Sequence, residues 1–577
     1  MGKFYNMKRI IICLLLLCLV GSHTVGATVV DTYAPYFGDH LFVYNPTDTN
    51  QTLSPAVSPK LSSAMLFDMH SEKEEVEEDV QVSYTPDYSE LNLPNNLKES
   101  PKVNCLDAPI LRSANCVEGE TYTYLVSDVA TSTYYNQDFI CMVSGQHCNV
   151  LFEVDPEDKA KLTQEDAEKI AKEFDENIQP FMVENFGNYY SYMGTDPTGL
   201  YLQAVKNGKM DLLFYDIRDG FNGTTVRTYT GGYNTIADYI ASRLGGNGNE
   251  RGILHLDTYP ALGKNGPLEV EKSYSTIVHE FQHQVSGSGS LFDYFTGAGV
   301  SYLNDLWWDE AFSMAAEHLY GGEPLTYRIE QYNDTGKSKV LRNGLVLGYQ
   351  NYTENNNDVI ANYSTSYLFG QYLRCQTKHL KGGGNQIYRT ILEQIGTDYT
   401  TILAGLASID YEYTPETFEE LYLNFRMATI LKNPTGPYGF AGEDAFSVLV
   451  DNAYTGTTDV TLKPGAAVVL RVPENFTPTN NDLSYTAFSE RGDFSYAINA
   501  VSDTVVNVTH GALPQSGLRM LAAGYDSSLK LLGTDEITVF ENLENYDYTL
   551  PANSVIRKFF LLTNDGSLSP LSLAEID

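Results

Sequence analysis

Apolar positions along the chain fall into two rhythms. From Thr163 onward, Ala167, Ile170, Ala171, Phe174 and Ile178 recur at the helical period, and Thr163 with Asp166 supplies an N-terminal cap. Four later segments read the same way. "TIVHEFQHQV" (276–285) sets Ile277, Val278, Phe281 and Val285 on one face, with Gly287 and Gly289 as a stop. "LWWDEAFSMAAEHLYG" and "NYSTSYLFGQYLRCQTKHL" follow, then "TPETFEELYLNFRMATILKN", in which Thr414 caps and Pro415 takes the first helical position. Short apolar or alternating runs, "TYTYLVSD", "CNVLFEVD", "MDLLFYDI" and "GILHLDTY", read as strands. After Pro434 the helical rhythm stops, and short strands such as "AAVVLRV", "LRMLAAGY" and "VIRKFFLLT" alternate with turn residues.

This pattern predicts an α+β chain in several parts. Residues 105–434 form one domain, β-rich over 105–160 and helical over 161–434, and residues 435–577 form a β-sandwich-like accessory domain. Residues 28–104 lack periodicity and carry the acidic run "SEKEEVEEDV", so they read as a flexible leader or pro-segment. Residues 1–27 read as a signal peptide: Lys3, Lys8 and Arg9 precede an apolar run from Ile10 to Val20, and Val25-Gly26-Ala27 offers a cleavage site. The expected destination is the periplasm, the cell surface or the medium. No later segment is long and apolar enough for stable membrane insertion.

Charge narrows the partners. The 577 residues carry a formal net charge of -37, or -40 once the basic residues of 1–27 are removed. Such a surface repels phosphate backbones and anionic lipids, which argues against nucleic acid. Two of the seven cysteines lie in the signal. Among the rest, proximity favours Cys105–Cys116 and Cys141–Cys148 as pairs in an oxidising compartment, with Cys375 a buried free thiol.

The polar positions inside "TIVHEFQHQV" carry the candidate chemistry. His279 and His283 are just over one helical turn apart, so both imidazoles leave the same face and can share one metal ion. Glu280 is placed to take a proton from a metal-activated water. The motif alone arises by chance roughly a few times in a hundred in a chain of this length. A third ligand is therefore required, and Asp309, Glu310 and Glu317 in the next helix are the acidic candidates. Glu310 sits at the edge of that helix's packed face, where a carboxylate faces solvent or is paired or metal-bound.

Four pieces in order, "MDLLFYDIRDGFNG", "GILHLDTYP", "STIVHEFQHQV" and "WWDEAFSMAAEHLYG", resemble the hyicolysin-type family of secreted bacterial zinc metallopeptidases, in the gluzincin group. The resemblance covers about Thr121 to Asn433. It implies a gluzincin-type peptidase domain with a mixed sheet and active-site helices. It also implies one catalytic zinc ion held by His279, His283 and Glu310, and Glu317 as an acid that orients a histidine. Glu280 would be the general base towards a zinc-activated water, and Tyr363 the donor to the developing oxyanion, with Tyr367 the alternative. The chain lacks the G-x-M-E-N segment of related aminopeptidases, which favours an endopeptidase acting on protein or peptide. Gln284 and the Gly/Ser-rich stretch after it depart from the family pattern.

Two further features have simpler readings. His255 reads as a core residue, and Asp216 and Asp219 with Gly220 and Gly223 read as a turn rather than a structural Ca2+ loop. The strand "GILHLDT" is expected at a sheet edge, where a peptide docks by strand addition. The contrasting function is an extracellular binding protein that keeps a peptidase fold with little activity. No pattern in the chain fixes an oligomeric state.

Overall fold

The computed structural model describes residues 40–54, 80–82, 102–107, 116–154, 161–195, 201–264, 267–298, 301, 303–334, 356–451, 453–454, 459–471, 480–488, 496–502, 504–510, 518–528, 530–539, 544–563 and 572–576. The expected signal over 1–27 lies outside them. Contacts divide the chain into two units, one of residues 65–337 and 351–418, the other of 1–64, 338–350 and 419–577.

The first unit is built on a six-stranded mixed sheet. Its strands are β1 (Thr121–Asp128), β2 (Thr133–Ser144), β3 (Cys148–Glu153), β4 (Met210–Tyr215), β5 (Gly232–Tyr233) and β6 (Ile253–Asp257). Their spatial order is β5-β6-β4-β3-β2-β1. The β3–β4 and β4–β6 pairs are parallel and the others antiparallel. β4 and β6 are mostly apolar because both their faces are covered: every residue of both strands is buried, and the polar exceptions Asp211, His255 and Asp257 are all hydrogen-bonded.

Five helices are relevant: α1 (Gln164–Glu173), α2 (Ser273–Phe295), α3 (Leu306–Gly321), α4 (Asn356–Thr377) and α5 (Phe418–Leu431). Thr163 caps α1 in a reciprocal capping box with Asp166. Phe281 of α2 stacks on Phe174 at 5.4 Å and meets Tyr189 edge-on at 4.7 Å, which seats the helix. α4 approaches α3 closely at Gly370, where a Cβ would lie 2.8 Å from the Ala311 carbonyl oxygen.

Several expectations are corrected. α2 does not stop at Gly287 but runs for 23 residues, because the serines around the glycines are tied down. Ser286 donates to Asp309, Ser290 to Asn304 at 2.7 Å, and Ser288 accepts from Tyr190 N at 2.9 Å. Gln284 bridges Tyr190 and Asn234, so this departure from the family pattern is a buried anchor. Thr414 does not cap a helix: its hydroxyl donates to Tyr411 O at 2.6 Å, and α5 begins only at Phe418. The strand β6 is not an edge, since β5 covers its outer side.

The 28–104 stretch is not uniformly without structure. His40–Tyr44, Gln51–Leu53 and Val80–Val82 are strands, and another spans Lys102–Asp107. His40–Tyr44 is the middle strand of three, antiparallel to both Ala467–Arg471 and Ser484–Phe488. It is buried along its whole length, a place that "HLFVY" suits because nearly every side chain is apolar. The second unit therefore starts with these residues and resumes at 419 rather than at 435. Its described strands otherwise form antiparallel sheets, including the four-stranded set Leu531–Val539, Leu518–Tyr525, Ile556–Thr563 and Ser572–Ile576.

One of the favoured cysteine pairs also needs correction. Cys141 lies in the core cluster with Leu151, whereas Cys148, three residues before Leu151, faces the opposite side of the sheet and contacts Ala171 O of α1. Cys141 and Cys148 are thus separated by the sheet itself. The Cys105 side chain lies outside the described residues. Cys375 is buried, as expected.

Candidate metal centre

Two helices build the site. α2 presents His279 and His283 from one face, their ring centroids 5.0 Å apart. α3 lays Glu310 against them: its Oε2 is 3.3 Å from His279 Nε2 and 3.8 Å from His283 Nε2. One ligand atom from each of the three residues lies within 4.8 Å of the other two. Glu310 is buried, and its Oε2 accepts no hydrogen bond from the described residues. A buried carboxylate oxygen in that state is costly unless a cation faces it. The convergent nitrogens and oxygen therefore fit a divalent metal ion, which His279, His283 and Glu310 would hold. Among the described residues no other His/Cys/Asp/Glu group is close enough to hold an ion.

Outer contacts fix both rings. His279 Nδ1 is 2.7 Å from Glu317 Oε1, and Glu317 Oε2 also accepts from Ser275 at 3.0 Å. His283 Nδ1 is 2.8 Å from Asp309 Oδ2. Each carboxylate stands at an Nδ1, which leaves the Nε2 of both rings turned towards Glu310 Oε2. Glu317 beside His279 thus has a counterpart in Asp309 beside His283, a residue whose place in the sequence marks it first as a candidate ligand. Asp309 directly precedes Glu310 on α3, and this adjacency was the available signal. Ser313 adds a contact to His283 Nε2 at 3.2 Å and donates to Gln282.

The charges follow from the packing. Burial pushes the His279 imidazole down, but Glu310 and Glu317 outweigh it and hold it well above the ordinary histidine value. Burial likewise opposes protonation of His283, yet Asp309 and Glu310 lift it to about 9. Burial raises the Glu280 carboxyl to about 7, against the opposing pull of His279 and His283.

Glu280 is 3% exposed and backs onto the sheet edge. At Gly232 of β5 a Cβ would come within 2.8 Å of Thr276 Cγ2 and 3.1 Å of Glu280 Cγ, so only glycine lets this edge lie so close to the helix. The neighbouring strand Thr228–Thr230 pairs in parallel with Val80–Val82. Gln81 from that segment donates to Thr276 Oγ1 at 3.4 Å, one turn before Glu280.

The two candidate tyrosines separate. Tyr363 is 1% exposed and donates to Glu310 Oε1 at 3.3 Å, with the Arg328 guanidinium 4.7 Å from its ring centroid. Tyr367 instead meets His318 Nδ1 at 2.8 Å and accepts from Leu325 N at 3.0 Å. His255 is held by Asp238 at 2.9 Å and Tyr215 at 3.2 Å and stacks on Tyr233, away from the metal group. Asp219 accepts from Phe221 N at 2.8 Å and Thr230 N at 2.6 Å, which closes a loop. Among the described residues no helix is long and apolar enough to cross a membrane.

No family model matches the chain. Over 285 residues it is 35% identical to the neutral metalloprotease ShpI of Staphylococcus hyicus, an alignment covering 49% of this chain and 57% of that protein. The chain thus spans little more than half the length of this relative. Across that shared half it is similar to a metalloprotease, and the chain carries a His–His–Glu group able to hold a metal ion.

Proposed function

We propose that the chain is an exported zinc-dependent endopeptidase of gluzincin type, acting on protein or peptide. The observation that carries this reading is the convergence of His279, His283 and Glu310 within 4.8 Å while both Nδ1 atoms are held by carboxylates. A zinc ion held by these three residues would lower the pKa of a water molecule and polarise the scissile carbonyl. Glu280, adjacent in sequence to His279, accepts the water proton and returns it to the leaving amine. Tyr363 donates to the carbonyl oxygen as it gains charge, exchanging its present bond to Glu310 for that one. Glu317 and Asp309 keep the two imidazoles in the required tautomer.

Residues 28–104 fit a pro-segment in part: Val80–Val82 lies beside Thr228–Thr230, and Gln81 touches the helix that carries Glu280. Residues 40–53 instead belong to the second unit, whose antiparallel sheets suit an accessory role.

The test combines metal analysis with hydrolysis of an unstructured protein, with and without a chelator. One zinc per chain and chelator-sensitive internal cleavage are expected, both lost in His279→Ala, His283→Ala and Glu310→Ala. A zinc-loaded wild-type protein that cleaves no peptide library would instead favour the binding-protein reading.

A further inference from the structure

Away from the metal centre, a second reactive cluster lies at the start of the sheet. The chain enters β1 through a turn closed by Glu120 N to Val117 O at 3.1 Å. It is pinned to β2 by Gly119 N to Cys141 O at 2.8 Å and Cys141 N to Glu120 O at 3.0 Å. That turn folds Cys116 back over Cys141, and the two share one core cluster with Tyr124, Phe139 and Leu151. Their thiols hydrogen-bond to each other. Cys116 is 3% exposed and Cys141 fully buried.

The surroundings differ for the two sulfurs. Arg251 Nη2 is 3.3 Å from Cys116 Sγ, and the Tyr124 hydroxyl is 3.9 Å away. The bond to Cys141, with Arg251 and Tyr124 adding to it, draws the Cys116 thiol below its ordinary range, against its burial and the charge of Asp211, which also pairs with Arg251. Cys141 is pushed the other way by the same bond and by burial. A thiol whose proton is more easily lost, beside a guanidinium and a second thiol, is the arrangement of a nucleophile with its resolving partner.

We propose that Cys116 and Cys141 form a disulfide as the exported chain folds, stapling the entry of β1 to β2. The Cys116 thiolate attacks an external disulfide, either oxidised glutathione or a protein disulfide of an oxidoreductase, and releases one reduced thiol. Cys141 then gives up its proton and attacks the mixed disulfide at the Cys116 sulfur. The second thiol leaves, and the external disulfide has taken up both electrons and both protons. Burial makes this a step of folding rather than a reversible surface switch. The compartment rests on the exported reading given above, but the pairing does not, and the test separates the two.

The full chain is refolded in a glutathione redox buffer, quenched with an alkylating agent and mapped by mass spectrometry without reduction. The expected result is a peptide pair linking Cys116 to Cys141, an intact mass lower by two hydrogens, and Cys148 and Cys375 alkylated after unfolding. The link should vanish in Cys116→Ser and in Cys141→Ser but persist in Cys148→Ser. Reductant should lower the thermal midpoint of the wild type and leave that of the Cys116→Ser/Cys141→Ser double variant unchanged. Alkylation of both Cys116 and Cys141, or a Cys105–Cys116 link in their place, would overturn the proposal. A chain that stays in the cytoplasm yet forms this link in the redox buffer would count against export alone.

Discussion

Asp309 Oδ2 sits 2.8 Å from His283 Nδ1, one residue before the glutamate that completes the metal group. In the proposed centre a single turn of α3 thus supplies both a ligand and the acid that aims a different ligand. Asp309→Ala should weaken metal affinity by about 10–100-fold, whereas Asp309→Asn, which keeps an acceptor, should lose less. Competition against a chromophoric chelator measures this. Equal affinity in wild type and Asp309→Ala would remove Asp309 from the metal's support.

Glu280→Gln is expected to keep one metal per chain while turnover drops by several orders of magnitude, since it removes the proton acceptor and leaves the three ligands in place. Metal analysis alongside single-turnover hydrolysis separates the two effects. Retained turnover would assign the proton transfer to another group.

Tyr363 and Tyr367 are four residues apart on α4, but only Tyr363 reaches Glu310. Tyr363→Phe should lower kcat by about 10²–10³ with KM little changed and metal retained. Tyr367→Phe should lower the thermal midpoint instead, because it strips a partner from His318 and from Leu325 N. A reversed pattern would exchange their roles.

Asp305, at the N-terminus of α3, gives a pH signature away from the metal. Burial, with the Asp398 charge adding to it, raises its pKa from 3.8 to about 6. A carboxyl raised in the folded state contributes stability that is full below its unfolded pKa and is lost as pH rises through the folded value. Asp305→Asn should therefore melt higher than wild type above about pH 6, with the advantage fading towards about pH 4. Thermal melts across that window check it; a constant offset at every pH would mean that titration is not the cause.

Ending the chain at Pro434 would strip His40–Tyr44 of both its neighbouring strands. Two open edges on an apolar strand invite association. Such a chain is expected to be less soluble than one that also lacks residues 28–64. Size-exclusion profiles of the two decide; equal solubility would mean that the strand finds other cover.

Local pattern determined much of this protein. The capping box of α1, the extent of α3, the apolar centre of the sheet and the shared face of His279 and His283 all follow from spacing, because helical and strand periods fix which side chains lie together over a few residues. The family resemblance pointed to Glu310 and Glu317, which the fold brings beside those histidines. Other features needed contacts between residues distant in sequence. His40–Tyr44 is a central strand only because partners more than four hundred residues away flank it. α2 runs through Gly287 and Gly289 because Asp309, Asn304 and Tyr190 hold its serines. Cys141 is set apart from its sequence neighbour Cys148 by the pleat, which sends side chains an odd number of positions apart to opposite faces, and the turn before β1 brings Cys116 to it. A helix or strand period acts over a few residues, whereas the partner that buries or caps a side chain is chosen by the packing of the whole unit, and that choice leaves no local mark in the sequence.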